Sequence, residues 1–316
     1  MGLLVDGIWQ DSWYETRQGR FERESSHFRD HVTPDGHGGF KAEPHRYHLY
    51  VSLACPWAHR TLIMRRLKGL EGTIGLSVVH WIMGEQGWSF HDGPGVIPDP
   101  GGAPFLHQVY TRARPDYTGR VTVPVLWDRQ RRTIVSNESS EILRMFGSAF
   151  DAVGARAGDY TPAALQSEID ALNARIYDTV NNGVYKAGFA TRQEVYEDAV
   201  LALFDTLDWL EQRLSQRTFL LGDTLTEADI RLVTTLFRFD AVYVGHFKCN
   251  LRRLTDYPEL WDYARTLYQW PGIRDTVSFT HIKGHYYGSH PTINPNRIVP
   301  VGPLLDWDAP TRRSGA

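Results

Sequence analysis

The sequence predicts two domains, a mixed α/β domain followed by an all-α bundle, and three observations predict them. Short apolar strand-like runs alternate with amphipathic helical stretches up to about residue 150. The stretch "DAVGARAGDYTP" then carries the Gly, Asp and Pro content of a linker. Beyond it the apolar residues recur only at helical spacing. The 316 residues suffice for two domains of roughly 100–200 residues each, and 42% hydrophobic with 22% charged residues is ordinary globular composition. The expected division is an arm over 1–40, an α/β domain over 41–155 with a long loop at 84–117, a helical domain over 156–284 and an extended tail over 285–316.

The elements follow in order. The arm, ending in "TPDGHGGFKAEPHR", is rich in Gly, Pro and charge and reads as loosely structured. "RYHLYVSL" reads as a strand, and Pro56 to about Leu70 places Leu62, Ile63, Leu67 and Leu70 at helical spacing. "TIGLSVVHW" is a second strand, and the Gly- and Pro-loaded stretch after it is a loop of a length that signals function or mobility. "VTVPVLWD" and "TIVS" form a hairpin-like pair, and "NESSEILRMF" a helix. In the second domain Leu165, Ile169, Leu172 and Ile176 share one helix face, and Val200, Leu203, Phe204, Leu207 and Leu210 share another. Thr226 and Asp229 have capping-box spacing at the head of "LTEADIRLVTTLFRF", a folding signal. The tail from Gly284 holds Pro291, Pro295, Pro300 and Pro303 and is expected to be extended.

Composition narrows the function. A formal charge of −3 with scattered basic residues offers no footprint for nucleic acid or an anionic membrane. No apolar run approaches the ~20 residues that span a bilayer, and the N-terminus lacks the pattern of a signal peptide, so a cytoplasmic protein is expected. The start "MGLLVD" has Asp6 where a myristoylation site needs Ser or Thr. Cys55 and Cys249 are too few for a disulfide framework and fit a reducing compartment. Ten Trp and fifteen Tyr supply side chains suited to lining a pocket for a flat ligand.

Cys55 carries the chemistry. It follows an apolar strand and precedes Pro56, and proline favours the first helical position because its missing N–H costs nothing there. Orphan amides and the helix dipole at that point stabilise an anion, so the thiol is expected to ionise below its ordinary value of ~8.5. A two-cysteine redox motif would place its second sulfur at Ala58. Without it, a mixed disulfide on Cys55 must be resolved by an external thiol. Cys55 and His59 alone make no metal site, so no metal is expected. Cys249, in "GHFKCNLRR", is assigned to packing.

Two further stretches point to the thiol donor. Pro124 sits inside what reads as a strand, where proline deletes a ladder hydrogen bond; such prolines are often cis. The stretch resembles that of thioredoxin-like folds, and the resemblance implies that a cis-proline faces the reactive cysteine and that the residue before it, here Val123, offers its backbone to an extended peptide. "SNESSEI" puts Glu138 and Ser139 at a helix start, where open amides and the Ser139 hydroxyl can hold a carboxylate and Glu138 can accept an ammonium. Together they suit an α-amino acid end such as the γ-glutamyl group of glutathione.

"CPWAHR", "VTVPVL", "NESSEI" and the later "TEADI" resemble a glutathione transferase: a thioredoxin-like domain plus an all-helical domain. "LACPWAHRT", "GEQGWSF", "NNGVYKAGFA", "TEADIRLVTTLFRFDAVYVGHFKCN" and "HYYGSHPTINP" are similar to the glutathionyl-hydroquinone reductases, its Xi class, over nearly the whole chain. The resemblance implies Cys55 as nucleophile, with Trp88, Arg120, Val121, Thr122, Val123, Glu138 and Ser139 contacting glutathione. It implies Tyr185 as proton donor and acceptor, with Tyr243 and Tyr286 near the sulfur. It also implies glutathione as co-substrate, glutathionylated hydroquinones as substrates and a homodimer. An Omega-like thioltransferase or dehydroascorbate reductase shares the Cys-Pro start, and a non-catalytic binder of aromatic ligands is a third reading.

Overall fold

The computed structural model describes residues 2–12, 16 and 18–313. The chain divides into two compact units. An N-terminal unit comprises Met1–Tyr14, Glu24–Gly158 and Ser278–Pro291, and a helical unit comprises Glu15–Arg23, Asp159–Val277 and Thr292–Ala316. Of the expected arm and tail, residues 1, 13–15, 17 and 314–316 lie outside the described residues.

In the N-terminal unit the strands are β1 (Leu3–Val5), β2 (Ile8–Gln10), β3 (His31–Thr33), β4 (Gly39–Lys41), β5 (Tyr47–Val51), β6 (Gly75–Val78), β7 (Gly119–Arg120), β8 (Val125–Asp128) and β9 (Thr133–Ser136). The central sheet has the order β6-β5-β8-β9; β5 runs parallel to β6 and antiparallel to β8, which is antiparallel to β9. Helix α1 (Pro56–Leu67) follows β5, α2 (Leu106–Ala113) precedes β7, and α3 (Ser139–Ser148) follows β9. Apolar residues of α1 and α3, among them Leu62, Ile63, Leu143 and Phe146, are buried, and each such side chain contributes about 1.5–3 kcal/mol when withdrawn from water.

Three expectations need correction. The arm is not loose: β1 pairs with β2 and with β7, β3 pairs with β4, and the middle residues Leu4, Val32 and Phe40 of β1, β3 and β4 are buried. Residues 84–117 are not one loop, since Leu106, Val109 and Tyr110 form the buried stripe of α2. Pro124 lies immediately before β8 rather than inside a strand, so it deletes no ladder bond; the Val123–Pro124 peptide is cis.

The helical unit contains α4 (Gln166–Ile176), α5 (Gly183–Gly188), α6 (Gln193–Leu214), α7 (Glu227–Arg238) and α8 (Pro258–Gln269). Two π-helical turns interrupt the regular winding, Tyr177–Asn181 between α4 and α5, and Phe239–Tyr243 after α7. Helix α9 (Phe279–Ser289) continues past the expected tail boundary and belongs to the N-terminal unit. The chain after it has no regular structure among the described residues, yet Trp307 is buried, against Phe237, Trp261 and Tyr268 of the helical unit.

The head of α7 is built as a capping box between Thr226 and Asp229. The fully buried Asp229 carboxyl accepts from the Thr226 and Leu220 amides, both at 2.9 Å, and from the Tyr263 hydroxyl at 2.9 Å. Asp229→Ala would leave those buried donors without an acceptor at about 1–3 kcal/mol each. The expected loss of at least ~3 kcal/mol would lower the urea midpoint at unchanged slope, and a midpoint equal to the wild type would refute it.

Candidate active site

Chain direction brings the candidate residues to one edge of the central sheet. Because β8 lies antiparallel between β5 and β9, those two strands run the same way, and α1 and α3 both begin beyond the same edge. The segment leading into β8 reaches that edge from the other direction: Tyr50 near the end of β5 pairs with Val125, and Leu126 with Ser136. Cys55, Val123 and Glu138 are therefore neighbours by topology.

Cys55 occupies the N-cap of α1 in extended backbone (φ −77°, ψ 121°), with Pro56 as the first helical residue. Its carbonyl accepts the first helical bond from the His59 amide at 3.0 Å. The thiol is partly exposed, and its Sγ lies 3.7 Å from the Val123 carbonyl, to which it donates. The strand-to-helix join thus presents the sulfur, the positive end of a helix dipole and a peptide backbone together. Cys249 is fully buried, and burial pushes its thiol well above the ordinary range, which removes it as a nucleophile.

Glu138 is the N-cap of α3. Its carboxylate accepts from the Ser140 amide at 3.0 Å, the Ser140 hydroxyl at 2.9 Å and the Ser26 hydroxyl at 3.1 Å. Burial alone would raise its pKa, but these hydrogen bonds, with the charge of Arg60, outweigh it and hold the group below the usual carboxylate value. One detail differs from expectation: the Ser140 amide is engaged by Glu138 rather than open. Arg60, one turn into α1 and fully buried, reaches Ser139 Oγ at 3.5 Å while its guanidinium covers the Trp57 ring at 4.5 Å.

Arg120, on β7, donates to the Ser12 carbonyl at 2.5 Å and lies 3.5 Å from Glu24, so irregular segments near the chain start hold its guanidinium. Val121 and Val123 are buried, and the peptide of Thr122 is fixed through Tyr110, whose hydroxyl donates to the Thr122 carbonyl at 2.8 Å and accepts from its amide at 3.2 Å. Asn137 completes this brace by donating to the same hydroxyl at 3.2 Å.

Trp88 is nearly buried and its indole stacks on His285 of α9, with centroids 4.8 Å apart. Tyr286, next in the chain, is buried with its ring edge-on to those of His285 and His290. In the helical unit Tyr185 and Tyr243 share one aromatic cluster: the Tyr185 ring lies 6.2 Å from Tyr243, 5.5 Å from Phe247 and 6.3 Å from Phe21. The Arg23 guanidinium covers the Tyr185 ring at 5.2 Å.

Comparison with known proteins identifies the family. The family described as glutathione S-transferase, N-terminal domain, matches residues 54–149, and the one described as glutathione S-transferase, C-terminal domain, matches residues 193–266. Glutathionyl-hydroquinone reductase YqjG of Escherichia coli is 59% identical over 99% of this chain and 98% of its own. Its glutathione-bound structure superposes with a TM-score of 0.92 over 99% of both chains. Glutathionyl-hydroquinone reductase PcpF of Sphingobium chlorophenolicum is 58% identical over 96% of each chain. A Xi-class glutathione transferase of Natrialba magadii, 48% identical, gives a TM-score of 0.94 over 99% of this chain and 96% of its own. The chain belongs to the Xi class of the glutathione S-transferases.

Within this Xi-class transferase the N-terminal unit gathers Cys55, Val123, Glu138 and Ser139 at the sheet edge, and Trp88 with Tyr286 at α9. The helical unit holds Tyr185 with Tyr243. Sequence reasoning missed Arg60, Ser26, Tyr110 and His285. Arg60 was detectable as a charged residue amid the apolar positions of α1. The others are contacts between segments that no local spacing reveals.

Glu138 gives a pH test. Its folded-state pKa is depressed, so its contribution to stability is present above the ordinary value of 4.5 and is lost as pH falls from there through the lower folded value. The stability gap between wild type and Glu138→Gln, followed by urea melts, should be constant at neutral pH and shrink below about 4.5. A gap that persists undiminished into acid would remove the assignment.

Proposed function

We propose that this protein reduces glutathionyl-hydroquinones to hydroquinones at the expense of glutathione. The observation that carries the reading is the partly exposed Cys55 thiol at the head of α1, facing the Val123 backbone, with no second cysteine in reach of the role. The names of the relatives above 55% identity support it. Glutathione is held in extended form along Val121, Thr122 and Val123, its γ-glutamyl end at Glu138 and Ser139, a carboxylate by Arg120, and Trp88 covers the peptide. The same reading assigns a cytoplasmic homodimer.

The thioether needs an acid before it needs a nucleophile. Direct thiolate attack on the substrate sulfur would expel an aryl carbanion. Protonation of the ring carbon bearing sulfur, assigned to Tyr185, with the adjacent hydroxyl releasing its proton to solvent, converts the ring to a ketone tautomer with sulfur alpha to the carbonyl. The Cys55 thiolate then attacks that sulfur, an S–S bond forms, and the C–S bond breaks with its electron pair passing into the ring as an enolate. The ring regains aromaticity as hydroquinone, reduced by two electrons, while the two sulfurs are oxidised to a mixed disulfide. A second glutathione attacks the glutathionyl sulfur, releasing glutathione disulfide and the Cys55 thiolate. Tyr243 and Tyr286 are assigned to stabilising that thiolate by hydrogen bonding.

Two variants test the scheme. Cys55→Ala should release no hydroquinone while still binding glutathione by calorimetry, and hydroquinone release by that variant would rule the scheme out. Tyr185→Phe should slow thioether reduction by about 10²–10⁴-fold, the range for a lost general acid, yet leave a small mixed disulfide turning over near the wild-type rate. Equal losses on both substrates would withdraw the acid role and favour a general thioltransferase.

A further inference from the structure

Helix α9 is the one part of the N-terminal unit that the chain supplies after the main body of the helical unit, and it packs on residues 81–94 at close range. A Cβ built on Gly284 would stand 2.6 Å from the Trp81 indole, and one on Gly288 would stand 2.5 Å from Ile82 Cδ1. Side-chain carbons do not approach so near, so two glycines four residues apart let the helix backbone lie directly against Trp81 and Ile82.

Three polar pins accompany this contact. The Met83 amide donates to Ser289 Oγ at 2.9 Å. His285 Nδ1 lies 2.8 Å from the Trp81 carbonyl and His281 Nε2 lies 2.7 Å from the Pro94 carbonyl. A carbonyl only accepts, so each of those nitrogens carries a proton, which orients both imidazoles. Between the pins sits Trp88. Its carbonyl is held by the Leu106 amide at 2.9 Å, and its indole lies on the His285 ring at 4.8 Å with 29° between planes.

We infer that His285 is a positioning residue for Trp88, and that α9 acts as a clasp fixing the indole before glutathione binds. The inference rests on the reading in which Trp88 covers glutathione. Its physical content is preorganisation: an indole stacked on a ring whose own orientation is locked has less freedom to lose when the peptide docks.

The test uses the full chain and His285→Asn, which keeps a donor for the Trp81 carbonyl but removes the ring. Glutathione KM should rise about 3- to 10-fold at little-changed kcat, in line with aromatic pair energies, and amide hydrogen exchange over residues 84–95 should accelerate. In a Trp88→Phe background the same substitution should raise KM no further, because the effect passes through the indole. An undiminished KM effect in that background, or unaltered exchange and KM in the single variant, would overturn the proposal. Accelerated exchange beside a Trp88→Phe variant of normal KM would instead sustain the positioning and remove Trp88 from the glutathione site.

Discussion

The site depends on the direction of one strand. With β8 set antiparallel between β5 and β9, two helix N-termini and one incoming loop are delivered to the same sheet edge. Each helix start contributes the positive end of a dipole, so the edge favours anions before any side chain is considered. The thiol of Cys55 and the carboxylate of Glu138 occupy the two N-caps.

The rest of the N-terminal unit braces that edge. The strand pair at the chain start reaches Arg120 through β7, the Tyr110 hydroxyl ties down the Thr122 peptide, and α9 holds the segment bearing Trp88. These braces come from remote parts of the sequence, which is how a site made of short loops is kept in one geometry. In the helical unit a π-helical turn ends at Tyr243 and another leads into the helix of Tyr185. Each inserts a residue relative to regular winding and so turns the following side chains to a new bearing, an arrangement frequent where function needs a specific orientation.

Much of this was legible locally. The Cys55-Pro56 pair marked the start of α1, the helical periodicities marked α4 and α6, and Thr226 with Asp229 marked the head of α7, since each signal is local in the chain. The four strands of the arm were not legible: three-residue strands are too short to show alternation, and their burial comes from partners far away. The place of α9 was hidden for a different reason. Periodicity shows that a helix has a buried face, not which unit that face packs against, and here two glycines that weaken a helix locally permit its closest packing. The tyrosines came from family resemblance alone, because a phenol assigned to acid chemistry and a phenol filling a core look alike in a sequence.

The burial of Cys249 has a practical consequence. In the native fold a thiol reagent meets one accessible sulfur, at Cys55, whereas the unfolded chain offers two. Label stoichiometry is therefore a counter of intact molecules: the ratio before and after denaturation gives the fraction of a preparation whose nucleophile is present, without any substrate being needed.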